Sequence, residues 1–138
     1  DQVAWFYTMT GYLAGKSFSA LIVDDEEDFG AELVEAVELM GGHTTYFSCP
    51  CRCLTYLCKQ RPVFDAVIAD LAMPKMNGID FLELAVKYIE NTPELFIITG
   101  LAEFEGKELK DCENLTLLNK PLTLRDLREK IGRSLNKR

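Results

Sequence analysis

Four polar positions in this 138-residue chain each follow a hydrophobic run of strand length. They are Asp24-Asp25 after Ala20–Val23, Asp70 after Ala66–Ala69, Thr99 after Leu95–Ile98, and Lys120 after Leu115–Leu118. Continuous apolar runs are typical of parallel strands that are buried on both faces. Ligands of open α/β sheets bind outside the carboxyl ends of such strands. We therefore expect these four positions to converge at one edge of a sheet.

The residue types at that edge suit the binding and transfer of phosphate. Adjacent carboxylates such as Asp24 and Asp25 repel each other unless a cation or protons offset their charge. Together with Asp70 they would offer the hard oxygen ligands that Mg²⁺ prefers. Lys120 would add a mobile positive charge, and Thr99 would offer a hydroxyl to a phosphoryl oxygen. Such a clamp neutralises a transferring phosphoryl group, and a carboxylate within it can itself become an aspartyl-phosphate.

The elements that would position these residues alternate along the chain. Strand-like and helical patterns follow one another over residues 17–122, which is typical of a βαβ series with a mainly parallel sheet. The first helix has an apolar face that includes Phe29 and Leu33, with Asp28 as its expected N-cap and Gly41-Gly42 as its end. The other predicted elements are a strand over 43–47, helices over about 51–60, 79–89 and within 102–111, and a last helix with the apolar stripe Leu124, Leu127, Ile131 and Leu135.

Composition and charge limit the classes of function. The chain is 48% hydrophobic and 27% charged, as expected for one ordinary globular domain. Its net charge of −7 argues against direct nucleic-acid binding by this domain. No apolar run approaches the roughly 20 residues of a membrane helix, and no basic segment near Asp1 suggests a secretory signal. We therefore expect a cytoplasmic protein without membrane contact.

Two features stand apart from this pattern. Cys49, Cys51, Cys53 and Cys58 lie close together, but zinc and iron–sulfur sites prefer C-x-x-C spacings. We interpret them, and Cys112, as reduced residues, with a metal or redox sensor as the alternative; His43 is expected at the surface. The aromatic-rich residues 1–16 form an extension that is packed on the domain, belongs to an upstream segment, or was added for expression.

At the sequence level the chain resembles the response-regulator receiver domain of two-component signalling. The segments that carry the resemblance are LIVDDEEDF, VIADLAMPKMNGIDFL, FIITG and LLNKPLTLRDL. It implies a flavodoxin-like fold over residues 17–138, in which a doubly wound five-stranded parallel sheet of order 2-1-3-4-5 is flanked by five helices. It also implies that Asp70 takes a phosphoryl group from a histidine kinase or phosphotransfer protein.

The resemblance assigns the other site residues as well. Asp24, Asp25, Asp70 and the backbone carbonyl of Ala72 would hold Mg²⁺. Thr99 would engage the phosphoryl group and Lys120 would balance its charge. Pro74 and Gly78 match the loop after the phosphoacceptor, and the Lys120-Pro121 bond is expected to be cis.

The chain departs from the family pattern at three positions. Leu117 stands where the family usually has Tyr or Phe, the aromatic switch residue that follows the threonine hydroxyl. Ala72 and Leu101 stand where side chains flank the path of the hydrolytic water. Since neither can orient that water, the phosphoryl group is expected to be long-lived.

The leading hypothesis is a signalling switch rather than an enzyme. Phosphorylation would shift the helix predicted within 102–111, the fifth strand and the last helix between two arrangements. These surfaces would then bind an effector or a second copy of the chain. A receiver-like module that works without phosphorylation is the first alternative, although all five site residues are present. An Mg²⁺-dependent phosphohydrolase is disfavoured, because Ala72 stands where a second acid would protonate a leaving group.

Overall fold

A five-stranded parallel sheet organises the chain. The computed structural model describes residues 17–100 and 114–137. The strands are β1 (Phe18–Val23), β2 (Gly42–Phe47), β3 (Ala66–Asp70), β4 (Glu94–Thr99) and β5 (Leu115–Asn119), and the helices within the described ranges are α1 (Glu27–Leu39), α2 (Pro50–Gln60), α3 (Gly78–Ala85) and α4 (Leu124–Asn136). The strand order is β2-β1-β3-β4-β5, with every neighbouring pair parallel. The predicted fold class is confirmed.

Two apolar layers cover the faces of this sheet. One contains Leu57 of α2 and Phe81 of α3, packed with alternate residues of the central strands such as Val67. The other contains Leu33 of α1 and Ile131 of α4, packed with the remaining strand residues such as Ile68. Strands with both faces covered read as continuous apolar runs. Each fully buried Leu, Ile or Phe side chain contributes roughly 1.5–3 kcal/mol, so the sheet is a rigid support for the residues at the carboxyl ends of its strands.

The helix ends differ from the predictions at two places. α3 ends at Ala85 rather than Ile89, because the amides of Lys87 and Tyr88 turn to the carbonyls of Leu84 and Ala85, three residues back. This tighter pattern is how many helices terminate. The predicted cap of α1 is also wrong: Glu26 is the N-cap, without a side-chain cap bond, and Asp28 lies exposed in the first turn.

The remaining predictions concern the last helix and two segments outside the described residues. Leu124 is 42% exposed, whereas Leu127 and Ile131 of the same stripe are buried as expected. The stripe therefore begins one turn later than predicted. The helix predicted within 102–111 and the extension over 1–16 lie outside the described residues.

We predict that the Asn91 side chain stabilises the fold by joining the α3–β4 loop to the α2–β3 loop. Its side chain accepts a hydrogen bond from the Phe64 amide (3.0 Å) and donates one to the Phe64 carbonyl (2.6 Å). Asn91→Ala should lower the free energy of unfolding by about 2 kcal/mol, because it leaves both backbone groups of a buried residue without these partners. Urea unfolding with an unchanged m-value measures this loss. Asn136→Ala, at an exposed position of α4, is the matched control, and an equal effect of both changes would contradict the prediction.

Candidate functional site

Three carboxylates meet at the carboxyl edge of the sheet. Asp24 and Asp25 directly follow β1, and Asp70 is the last residue of β3. One oxygen from each side chain lies within 4.8 Å of the other two. Asp24 is 0% and Asp70 3% exposed, so the cluster is largely removed from water. The convergence expected of these residues is present in the structure.

The turn that carries Asp24 and Asp25 is held from two sides. The Asp24 carboxylate accepts a hydrogen bond from the Glu26 amide at 2.8 Å, and the Asp24 amide donates to the Phe47 carbonyl at 3.2 Å. From β2, the Tyr46 hydroxyl donates to the Asp24 carbonyl at 2.7 Å. A Cβ at Gly30 would lie 2.6 Å from the Tyr46 hydroxyl, so the tyrosine reaches the turn only because this position is glycine.

The electrostatics of the cluster are unfavourable without a counter-charge. Asp24 Oδ2 and Asp25 Oδ1 are buried without a hydrogen-bond partner among the described residues. Burial raises the pKa of Asp24 to about 6, helped by the charges of Asp70 and Asp25 and opposed by the Glu26 amide and Lys120. Burial also raises the pKa of Asp70, against the effect of Lys120. Crowded carboxylates with free lone pairs are suited to bind a hard cation.

Lys120 supplies a positive charge to this site. Its Nζ lies 3.8 Å from Asp70 Oδ1 and 4.8 Å from the centre of the Phe29 ring. The Lys120 amide donates to the Thr99 carbonyl at 2.9 Å, which ties the residue after β5 to the end of β4. The Lys120-Pro121 bond is cis, as expected.

Thr99 stands beside the cluster in the sheet. It ends β4, one register position beyond Ile98, the partner of Asp70 on β3. Its side chain is 2% exposed. The structure therefore places a buried threonine at the carboxyl end of the strand that neighbours β3.

The loop after Asp70 closes back on the strand that it leaves. The Leu71 amide donates to the Ile98 carbonyl at 2.8 Å, and the Gly78 amide donates to the Leu71 carbonyl at 2.9 Å. A Cβ at Gly78 would lie 2.5 Å from the Asp70 carbonyl oxygen, so only glycine allows this approach. The Asn77 side chain caps α3 by accepting from the Asp80 amide, and Ala72 is exposed on the loop.

Other residues singled out in the sequence lie away from the cluster or outside the described ranges. Leu117 is half-buried against the layer that contains α2 and α3, and its carbonyl accepts from Lys130 Nζ at 3.1 Å. Leu101 and Cys112 are outside the described residues. His43 is exposed on β2, as expected.

The four described cysteines are free and differ in their surroundings. Cys53 is buried, Cys51 and Cys58 are exposed, and Cys49 is the N-cap of α2. Among residues 17–100 and 114–137, no cysteine belongs to a group spaced to hold a metal ion. Burial raises the pKa of Cys53 to about 12, so this thiol is protonated at neutral pH. The arrangement favours the structural interpretation of these residues.

Sequence reasoning missed two aromatic residues at the site. The sequence pattern assigns Phe29 only to the apolar face of the first helix, and Tyr46 only to a strand. Phe29 follows Asp25 by four residues, one helical turn, and Tyr46 lies near the carboxyl end of β2. Those positions place both at the functional edge, which is the signal that could have identified them.

Comparison with known proteins agrees with this geometry. Residues 20–132 match the family model of the response regulator receiver domain. The chain belongs to this family. It is 35% identical over 118 residues to the response regulator receiver protein CpdR of Brucella abortus, an alignment that covers 83% of this chain and 94% of that protein.

Solved receiver domains have the same fold. A receiver domain protein from Clostridium thermocellum is 26% identical, with a TM-score of 0.74 and coverage of 87% of this chain and 95% of the other. A CheY-like receiver domain protein from Methanospirillum hungatei JF-1 is 24% identical, with a TM-score of 0.75 and coverage of 88% and 96%. Within the described part of this receiver domain, no helix is long and apolar enough to cross a membrane.

We predict that the receiver domain becomes more stable when Asp24 loses its charge. Without divalent cations, Asp24→Asn should raise the free energy of unfolding by about 1–3 kcal/mol near pH 8, because a buried charge is removed while the amide oxygen still accepts from Glu26. Since folding raises this pKa from 3.8 to about 6, the wild-type protein loses stability as the pH rises through that range. The gain of the variant should therefore disappear at about pH 4.

Urea unfolding in EDTA at several pH values measures this difference. Asp28→Asn, an exposed change in the first turn of α1, is the control and should show little pH-dependent gain. A destabilised Asp24→Asn protein, or a gain that does not vary with pH, would contradict the electrostatic account.

Proposed function

We propose that this receiver domain takes a phosphoryl group onto Asp70 from a phosphohistidine of a histidine kinase or phosphotransfer protein. Mg²⁺ would bind at Asp24, Asp25 and Asp70, and phosphorylation would switch a surface that binds an effector or a second copy of the chain. One observation carries the proposal: a buried, crowded carboxylate cluster has an ammonium group 3.8 Å from Asp70. Crowded, buried ionisable groups of this kind cluster at functional sites more often than at structural positions.

The residues present fit a magnesium ion. Two buried carboxylate oxygens, on Asp24 and Asp25, have no hydrogen-bond partner in the described chain. Hard oxygen donors of this kind match the preference of Mg²⁺, which binds through carboxylates together with a phosphate. The resemblance adds the backbone carbonyl of Ala72 as a further ligand. When bound, the ion would neutralise charge on the carboxylates and on the incoming phosphoryl group.

The chain's own residues account for the rest of the transfer. A carboxylate oxygen of Asp70 would attack phosphorus, and the bond from phosphorus to the donor's imidazole nitrogen would break, leaving its electron pair on that nitrogen. Lys120 would balance the negative charge from its position beside Asp70. The hydroxyl of Thr99 would donate to a phosphoryl oxygen. Because Asp70 is 3% exposed, the donor would have to present its phosphoryl group to a carboxylate that is almost entirely buried.

Leu117 favours a second candidate, an interaction module that works without phosphorylation. The half-buried leucine lacks the aromatic ring and the hydroxyl group through which the family usually follows the threonine. The complete acidic cluster favours the phosphorylated switch, so we place this candidate second. The expected cytoplasmic location and the absence of nucleic-acid and membrane contacts remain predictions.

We predict that one phosphoryl group is added when the protein is incubated with Mg²⁺ and acetyl phosphate. A small donor suffices because catalysis by this site is mainly positioning and charge neutralisation. Intact-protein mass spectrometry measures the adduct, which should be absent with EDTA. Asp70→Asn keeps the size of the side chain and should abolish it. An adduct that persists in Asp70→Asn would contradict Asp70 as the acceptor. No adduct with any donor would contradict the proposed function and favour the interaction module.

We predict that the phosphoryl group then persists for minutes or longer after the donor is removed. Ala72 is exposed on the loop beside Asp70 and offers no group to orient an attacking water. Ala72→Gln supplies an amide that can orient water. It should shorten the lifetime about tenfold, because a positioned water attacks the phosphoryl group faster. Ala31→Gln, at an exposed position on α1, is the matched control. A wild-type half-life of seconds would overturn this prediction.

A further inference from the structure

In the described part of the chain, a carboxylate and an aromatic ring lie near the Lys120 ammonium group. Lys120 Nζ lies 3.8 Å from the carboxylate of Asp70 and 4.8 Å from the centre of the Phe29 ring. The Lys120 side chain is 30% exposed, so burial alone does not fix its position. A long lysine side chain loses much rotamer freedom when it is held in one place. The carboxylate and the aromatic ring together reduce the number of positions open to the ammonium group.

We infer that Phe29 is a positioning residue that holds the ammonium group of Lys120 beside Asp70. An ammonium group within about 6 Å of a ring centre is attracted by the negative face of the ring. Phe29 lies in the first turn of α1, at the edge where Asp24 and Asp25 leave β1. The contact thus joins the first turn of α1 to the residue after β5. This inference rests on the proposed function, which assigns Lys120 to the phosphoryl group.

Packing alone does not require an aromatic residue at this place. Phe29 is half-buried at the margin of the layer between α1 and α4, where Leu33 on its own helix and Leu127 and Ile131 on α4 are aliphatic. A leucine would cover that margin with apolar atoms but would make no cation–π contact with Lys120. The aromatic ring is therefore the property to test, with size and apolar character kept similar.

The first arm of the test measures phosphorylation rates with acetyl phosphate at saturating Mg²⁺. Phe29→Leu should reduce the rate about two- to fivefold, which corresponds to the strength of a partly exposed cation–π contact. Phe29→Tyr keeps the ring and should restore a rate close to that of the wild-type protein. In a Lys120→Met background, Phe29→Leu should have no further effect, since the two changes remove the same interaction.

The second arm observes Lys120 without phosphorylation. In protein labelled with ¹³C-lysine, the protons next to the Lys120 ammonium should resonate upfield because of the nearby ring, with Lys120→Arg providing the assignment. The displacement should disappear in Phe29→Leu and persist in Phe29→Tyr. This measurement also decides the inference if Lys120→Met proves too slow for a reliable rate.

The two arms separate failure of the inference from failure of the proposed function. A ring-shifted Lys120 signal in a protein that accepts no phosphoryl group would retain the contact but contradict the proposed function. An ordinary Lys120 signal in the wild-type protein would overturn the inference. So would a Phe29→Leu effect of equal size with and without Lys120, or a Phe29→Tyr protein as slow as Phe29→Leu, because both results indicate packing.

Discussion

The crowding of three carboxylates, two of them buried, is the constraint on which the site depends. Asp24, Asp25 and Asp70 are brought within 4.8 Å by strands whose own contacts are apolar. The free energy that forces them together therefore comes from the core, not from the site. Because this cost is already met when the domain folds, a bound cation would relieve it. The folded domain thus holds the carboxylates in an electrostatically unfavourable arrangement, which favours the binding of a cation.

The same constraint explains several local choices of residue. Crowding near the cluster leaves no room for side chains at Gly30 and Gly78, where a Cβ would lie within 2.6 Å and 2.5 Å of other atoms. At Gly30 the space is used by Tyr46, which fixes the carbonyl of Asp24. At Gly78 it allows α3 to begin directly against the carbonyl of Asp70. Both glycines therefore allow close contacts to the backbone of residues that bear the carboxylates, although neither bears a functional group.

The fold was more predictable than the contacts within the site. Runs such as Ala66–Ala69 specify buried parallel strands, and the alternating patterns specify the βαβ order. The ends of strands then locate Asp24 and Asp70 without further information. Phe29 and Tyr46 act across elements that are distant in the chain, and no local periodicity reports such a contact. The end of α3 was missed for a different reason: the apolar pattern continues to Ile89, although the amides of Lys87 and Tyr88 already bond to carbonyls three residues back.

Under the proposed function, Leu117 would change how phosphorylation of Asp70 is transmitted. A tyrosine that moves between a buried and an exposed position has different hydrogen-bond partners in each, whereas a leucine only changes its apolar contacts. The backbone provides other connections at the same place: Lys120 bonds to the Thr99 carbonyl, and Lys130 of α4 bonds to the carbonyl of Leu117. A displacement of Lys120 towards a phosphoryl group would therefore act on the end of β5 and, through Lys130, on α4. Under the proposed function, this route through the lysine would take the place of a mobile aromatic side chain at position 117.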